Sequence, residues 1–455
     1  MSSATGADGQ PMARPLNRED YKTLTLSSLG GTLEFYDFVI YALYIETIVK
    51  PLFLPADISP LIADLFAWGG FAAGYIARPI GGVIMAHFGD VLGRKKMFTL
   101  SVAMMALPTF IIGLLPTYAQ IGMFAPILLV IMRMFQGAAI GGEMPGAWVF
   151  IAEHTPKNRY GLGIGTLTSG ITGGILLGFL VSIIIDLNYS KAEILSYAWR
   201  IPFIAGGIFG IIAVFLRRYL SETPIFKEMA AQKALSKEIP MMTVLKSHKI
   251  ACLIVAFLTW SLSTAIMVGI LITPVAVLGK MHGIEPLNAR IAGSIAALTL
   301  TIGCVFWGWL EDKIKTRLNM LFAWGGLAVS SLYFYYSLTQ GISMNMVYIN
   351  YGIMGFFVGA IALTPVVGTR AFPPAIRYSG LSFSYNLAYA VFSAITPMLT
   401  LKLLGVTPLG AGIYISGVSI LAILVALYPL SYKGWEAKGA TPAAKPEVKG
   451  ALSAV

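Results

Sequence analysis

Twelve stretches of this chain are each about as long and as apolar as a bilayer core is thick, and no other feature constrains its fold as tightly. A spanning helix needs about 20 mostly apolar residues. Such runs are read at 26–49, 61–87, 96–114, 121–150, 161–186, 200–219, 250–278, 289–310, 318–338, 343–365, 379–401 and 409–431. Lipid offers no partner to backbone N–H and C=O groups, so each run must satisfy its own hydrogen bonds, as a helix does. Composition agrees. Hydrophobic residues make up 57% of the chain and charged residues 12%, about half the ~25% of a soluble domain. That leaves too little polar surface to cover a water-facing particle. The expected class is an all-α membrane protein with twelve transmembrane helices in two pseudo-symmetric six-helix halves.

The basic residues orient the chain. With the N-terminus inside, 24 Lys and Arg fall on the cytoplasmic side, against six on the outer side: Lys50, Lys191, Arg200, Lys280, Arg290 and Lys402. Arg78 and Arg133 lie within spans. A miscounted helix would scramble this bias in every later loop, so the asymmetry supports both helix count and topology. The net charge of +11 is therefore read as positive-inside bias, with membrane lipid and not nucleic acid as the partner. Residues 1–22 are polar and do not resemble a cleaved signal peptide. Cys252 and Cys304 both lie in apolar runs, which implies no disulfide framework.

The longest internal polar stretch, 220–248, separates six spans from six. Its flanks repeat each other. Pro156-Lys-Asn-Arg159-Tyr160 and Pro374-Ala-Ile-Arg377-Tyr378 share a pattern 218 residues apart. Asp90, followed by Arg94, Lys95 and Lys96, is matched 222 residues on by Asp312, followed by Lys313, Lys315 and Arg317. Two matches at nearly one offset argue for duplicated halves. The layout read from this is a cytoplasmic tail 1–22, a first half 23–219, a cytoplasmic loop 220–248, a second half 249–432 and a disordered cytoplasmic tail 433–455. Transporters built from such repeats bind substrate near mid-membrane, between the halves, and alternate access by rocking.

Ionisable groups inside a membrane are costly and therefore point to function. Glu34, Asp37, Tyr41 and Tyr44 fall on one face of the first span. Two neighbouring acids repel, and burial disfavours charge, which suits a proton-coupling site. The structural alternative is a fixed acid–arginine pair. Span four presents Gln136, Ile140 and Glu143 on one face with Arg133 at its edge, and Arg133 can clamp a substrate carboxylate or neutralise Asp37. Gly137 and Gly141 on this span, and Gly170, Gly174 and Gly178 on span five, are spaced for close helix approach. In span two, Arg78-Pro79-Ile-Gly81-Gly82 reads as a place for a tight turn, and Asp90 as a latch pairing with Arg94 or with a facing helix N-terminus. The four histidines never cluster, so no metal site is expected. There is no phosphate-cradling Gly-x-x-x-x-Gly-Lys motif and no nucleophile–histidine pair. An enzyme is not expected, no cofactor is implied, and energy for transport must come from a gradient.

These motifs together resemble the major facilitator superfamily, and within it the metabolite:proton symporter family of proline/betaine, 2-oxoglutarate, shikimate and citrate carriers. The resemblance covers roughly residues 22–432. It rests on Glu34-Phe35-Tyr36-Asp37-Phe38, Arg78-Pro79-Ile-Gly81, Gly89-Asp90-x-x-Gly93-Arg94-Lys95, Arg133-x-x-Gln136-Gly137 and Gly141-Gly142-Glu143. It continues through Trp199-Arg200-Ile-Pro202-Phe203, Glu222-Thr223-Pro224-x-Phe226, Phe372-Pro373, Arg377-Tyr378-Ser379-Gly380 and Tyr385-Asn386. It implies proton-coupled import of a small organic metabolite, read here as an organic acid or zwitterion, while the charge bias places both termini on the cytoplasmic side of a bacterial inner (plasma) membrane. The coupling and substrate cavity read from the residues is Glu34, Asp37, Tyr41, Arg133, Gln136 and Glu143, and the resemblance implies a place there for Asp37 and Arg133. The resemblance implies a cytoplasmic gate of Asp90, Gly93 and Arg94, to which the motif and its repeat add Gly89, Asp312 and Arg377. Departures are Val91 and Ala86, where the gate motif usually has arginine and glycine, and Arg370, where glutamate is usual before Phe-Pro. Span five lacks the Gly-Pro pair of proton-antiporting relatives, which favours symport. The alternatives are export of a toxic compound or antibiotic on the same fold, and a non-transporting membrane sensor. The sequence leaves substrate identity and oligomeric state open, a monomer being compatible with it.

Overall fold

The computed structural model describes residues 14–92, 94–217, 219 and 240–428, and twelve long helices among them. In chain order these are α1 (Arg18–Tyr44), α2 (Pro60–Leu92), α3 (Arg94–Leu114), α4 (Phe124–His154), α5 (Tyr160–Asn188) and α6 (Arg200–Arg217). The second set is α7 (Lys249–Met281), α8 (Pro286–Glu311), α9 (Thr316–Thr339), α10 (Met344–Arg370), α11 (Arg377–Val406) and α12 (Gly410–Ala426). Six of them, α4, α5, α7, α8, α10 and α11, are by themselves long and apolar enough to cross a bilayer.

Several boundaries differ from expectation. The run 121–150 begins with a separate helical turn, Tyr118–Ile121, and its main helix extends to His154. The tenth span runs on to Arg370, and the twelfth is shorter than 409–431. Of the polar loop 220–248, Pro240–Ser247 is a helix, while 220–239 lies outside the described residues. The tail 433–455 also lies outside them.

The tight turn expected at Gly81-Gly82 is absent, because α2 continues through Pro79 and both glycines. Neighbouring helices and internal hydrogen bonds tolerate proline in a membrane helix. The glycines serve packing instead. A Cβ on Gly81 would lie 2.0 Å from the Ala138 carbonyl oxygen, and one on Gly137 would lie 1.8 Å from that of Gly74. The same holds on the expected glycine face of α5, where a Cβ on Gly174 would come within 2.0 Å of the Thr32 carbonyl oxygen on α1. With little hydrophobic drive between helices in lipid, such backbone proximity supplies the van der Waals contact that holds them. Ile76, Ile80 and Ile84 on the far side of α2 are exposed, as a lipid-facing stripe should be.

The packing repeats with a six-helix offset. In the first set α1 packs on α5, α2 on α4 and α3 on α6; in the second α7 packs on α11, α8 on α10 and α9 on α12. The two sets meet along α5 against α8 and α2 against α11, contacts that exchange under the same offset. One end of the bundle carries the connections 2–3, 4–5, 8–9 and 10–11, and is called here the basic end.

Candidate functional site

Two acids stand on α1 one helical turn apart, and each has its own arginine. Asp37 Oδ2 accepts from Arg133 Nη1 of α4 at 2.6 Å. Glu34 Oε1 accepts from Arg78 Nη1 of α2 at 3.2 Å. All four side chains are fully buried. Sequence reasoning set the two acids against each other. The fold separates them instead, because their side chains diverge toward different helices. The gain is large: an uncompensated charge buried here would cost several kcal/mol.

Around Asp37 the hydrogen bonds described join helices of the first set. Arg133 Nη1 also donates to Gln136 Oε1 at 2.9 Å, and Gln136 Nε2 donates to Thr109 Oγ1 of α3 at 2.8 Å. The guanidinium carbon of Arg133 lies 4.3 Å from the Tyr41 ring centroid, a cation–π contact. Glu143, expected on the same face as Gln136, accepts from Ser101 of α3. The predicted cavity residues Glu34, Asp37, Tyr41, Arg133, Gln136 and Glu143 are thus all buried, but in two pairings and a side contact to α3.

Around Glu34 the network crosses between the two sets. Arg78 Nε donates to Asn386 Oδ1 of α11 at 3.5 Å, and its guanidinium lies 4.4 Å from the Tyr389 ring centroid. Asn386 Nδ2 donates to the Gly141 carbonyl at 2.6 Å, and Ser382 Oγ donates to that of Gly82 at 3.1 Å. Arg78 and Asn386 were outside the expected cavity. The signal that could have found Arg78 was its place inside a span, the same argument that picked out Arg133.

At the basic end, Asp312 does what was expected of its first-half counterpart. Its two carboxylate oxygens accept from the N–H groups of Gly161 and Leu162, at 2.7 and 2.9 Å, across the seam between α8 and α5. These are first-turn donors of α5 with no intrahelical acceptor, and the helix dipole favours an anion there. Burial lifts the Asp312 carboxyl above its ordinary range, offset in part by those two N–H bonds and by Arg370. Arg377 of α11 reaches Glu153 of α4 at 3.5 Å, a second link between the two sets of helices. Gly89 and Asp90 sit on the last turn of α2, but the side chains of Asp90 and Arg94, and the whole of Gly93, lie outside the described residues. Arg370, the sequence departure, donates to Glu311 Oε1 at 2.8 Å and lies 4.5 Å from the Tyr160 ring centroid. At the opposite end Arg290 of α8 pairs with Asp186 of α5. Contacts therefore close the α5–α8 seam at both ends in this conformation.

Comparison with known proteins agrees with this fold. The sequence pattern described as the Major Facilitator Superfamily matches residues 29–397. The chain is similar to the proline/betaine transporter of Escherichia coli (strain K12), with 30% identity over 441 residues, 93% of this chain and 86% of that one. It is similar to an inner membrane metabolite transport protein of the same organism, with 29% identity over 93% of this chain and 98% of the other. Its fold is similar to that of the proton:xylose symporter solved with 6-bromo-6-deoxy-D-glucose, with a TM-score of 0.74 and 17% identity, covering 92% of this chain and 98% of that one.

Proposed function

Because this chain belongs to the major facilitator superfamily, we propose that it is a secondary transporter coupling inward proton movement to import of a small organic acid or zwitterion by alternating access. The observation that carries this reading is the pair of buried acid–arginine contacts on α1, Asp37 with Arg133 and Glu34 with Arg78. A protonated acid no longer holds its arginine, so proton binding frees a guanidinium between the helices. That change in a dry, low-dielectric setting biases the rocking equilibrium between the two halves.

In this reading Asp37 is the coupling acid, Arg133 its counter-ion, and Gln136 with Thr109 the frame that orients the arginine. Glu34, Tyr41 and Glu143 complete the cavity. Asp312, with Arg377 and Glu153, closes the basic end, and Gly89, Asp90, Gly93 and Arg94 form the matching gate of the first half. The basic end faces the cytoplasm of a bacterial inner membrane and both termini lie there, on the 24-to-6 asymmetry of Lys and Arg. The halves span 23–219 and 249–432.

Proton flux in proteoliposomes tests the proposal. Organic acids, amino acids and betaines are added outside while a trapped dye reports internal pH. Acidification of the lumen with one solute, absent from protein-free vesicles, is expected. Alkalinisation on addition of a toxic compound under an inward-acid gradient would instead identify an exporter.

A further inference from the structure

The seam between α2, α4 and α11 holds three buried polar atoms that lack a hydrogen-bond partner among the described residues. Arg78 uses Nη1 on Glu34 and Nε on Asn386, which leaves Nη2. The others are Trp148 Nε1 and Tyr385 Oη, which faces the Arg78 side chain without reaching hydrogen-bond geometry. The three side chains are at most 1% exposed. They are also neighbours: the Trp148 and Tyr385 rings meet edge to face at 4.9 Å, and the Tyr385 centroid is 5.6 Å from the Arg78 guanidinium carbon. Buried polar groups in native proteins are nearly always bonded, so a cluster of orphans marks a place that something else completes. Guanidinium and indole can only donate, and a phenol can donate, so the missing partner is an acceptor. The guanidinium makes it an anion, and its planar fork matches a carboxylate.

Glu34 fits the part of a placeholder. It touches Arg78 through one oxygen, and Oε2 has no partner among the described residues. Position also separates Arg78 from Arg133. The hydrogen-bond partners described for Arg133 lie in the first six helices, whereas Arg78 is held by Glu34 on one side and by Asn386, Tyr385 and Tyr389 of α11 on the other. A transported molecule sits between the halves.

We propose that Arg78, Trp148 and Tyr385 form the seat for the carboxylate of the transported molecule, a small metabolite with a single carboxylate, and that Glu34 occupies that seat when it is empty. This rests on the symport reading above. Loading then exchanges one carboxylate for another at the same guanidinium. Glu34 takes a proton, the substrate carboxylate takes its place, and Arg78 never faces the low-dielectric interior uncompensated. Tyr75 and Tyr389, packed at 5.5 Å between centroids, wall the seat and limit the body of the ligand. The charged and titratable groups facing Glu34 are Arg78 and Tyr75 on α2, Glu143 on α4, and Tyr385 and Tyr389 on α11.

The test is binding to the purified full-length protein in nanodiscs, by calorimetry, with matched probes: L-proline and L-prolinamide, glycine betaine and choline, acetate and acetamide, shikimate and its amide. At least one carboxylate should bind, with its uncharged or carboxylate-free counterpart roughly 100-fold weaker. Trp148→Phe and Tyr385→Phe should each weaken that carboxylate about 10-fold while eluting as folded monodisperse protein. One proton is taken up per carboxylate, so affinity should fall about tenfold per pH unit on the alkaline side, and Glu34→Gln should abolish that slope. Unchanged affinity in both aromatic variants would overturn the seat. Equal binding of acids and amides, an intact pH slope in Glu34→Gln, or no carboxylate binding across the panel would do so too. If an uncharged solute alone binds and drives proton flux, the seat fails and the symport reading stands. If a carboxylate binds with the predicted variant pattern but moves no protons in proteoliposomes, the seat stands and the symport reading fails.

Discussion

Removing the Asp312 carboxylate should open the basic end of the bundle. In Asp312→Ala, the N–H groups of Gly161 and Leu162 lose acceptors at 2.7 and 2.9 Å. A hydrogen bond to a charged acceptor contributes about 1.5–3 kcal/mol when fully buried. Asp312 is only partly buried, so water can replace some of that, and about 1 kcal/mol per bond is the working value. The sum, about 2 kcal/mol, shifts the closed-to-open ratio about 30-fold. Spin labels on cysteines placed at the exposed Lys157 and Lys315 flank this seam, in a background with Cys252 and Cys304 replaced by alanine. The parent should give one short distance by pulsed electron resonance, and the variant a second, longer population of comparable or larger weight. A distance distribution identical to that of the parent would refute the assignment of closure to this cap. Asp312→Asn keeps one acceptor oxygen without the charge that burial disfavours and should stay at least as closed as the parent.

Four further outcomes follow from the geometry. Because burial holds the Asp312 carboxyl above its ordinary value in the closed state, that state binds the proton more tightly than an open, solvated one. By linkage the closed population should grow as pH falls through the raised pKa and shrink above it, and Asp312→Asn should flatten the profile measured with the same labels. Arg78→Gln leaves Glu34 buried without its partner and should destabilise the protein by about 3–5 kcal/mol, while Arg78→Gln with Glu34→Gln should recover most of that in a thermal-unfolding assay. Gly137→Val should prevent accumulation of folded protein, since even a Cβ would lie 1.8 Å from the Gly74 carbonyl oxygen. Gly173→Ala meets nothing within 4 Å and should match the parent or gain about 0.5–1 kcal/mol by size-exclusion and melting analysis.

The sequence carried the architecture because lipid leaves few choices. A run of apolar residues in a bilayer must be a helix, and the side on which Lys and Arg fall counts the crossings. The glycine spacings on α4 and α5 were legible for the same reason: in lipid, small residues at intervals of four have packing as their main use. Span ends were less legible, because a helix continues into the interface until a cap or a break stops it. The tenth span gains its last turns, to Arg370, in this way.

At the site, intramembrane charge located Asp37 and Arg133, and the need to neutralise one with the other made their pairing readable. Glu34 was located equally well, yet its partner was not. Arg78 sits beside Pro79 and two glycines, a pattern that in water breaks a helix and in this bundle runs straight on. Asn386, Tyr385 and Tyr389 were out of reach for another reason: they come to Arg78 from more than 300 residues away, and only the α2–α11 seam brings them there. Asp312 was found through its resemblance in spacing to Asp90. The Arg370–Glu311 pair was not, since Arg370 stood out only as a departure from the family pattern and Glu311 not at all until α8 and α10 lie side by side.

The measurement that bears most directly on proton coupling through Asp37 is transport by Asp37→Asn in proteoliposomes, with gradient-driven accumulation and substrate exchange recorded on the same preparation. In this mechanism accumulation and the accompanying luminal acidification disappear while exchange of labelled for unlabelled substrate persists, because the neutral side chain lets the loaded protein rock but cannot lose a proton to reset the empty one, although Glu34 still takes up its proton with the carboxylate. Full accumulation by Asp37→Asn would contradict it.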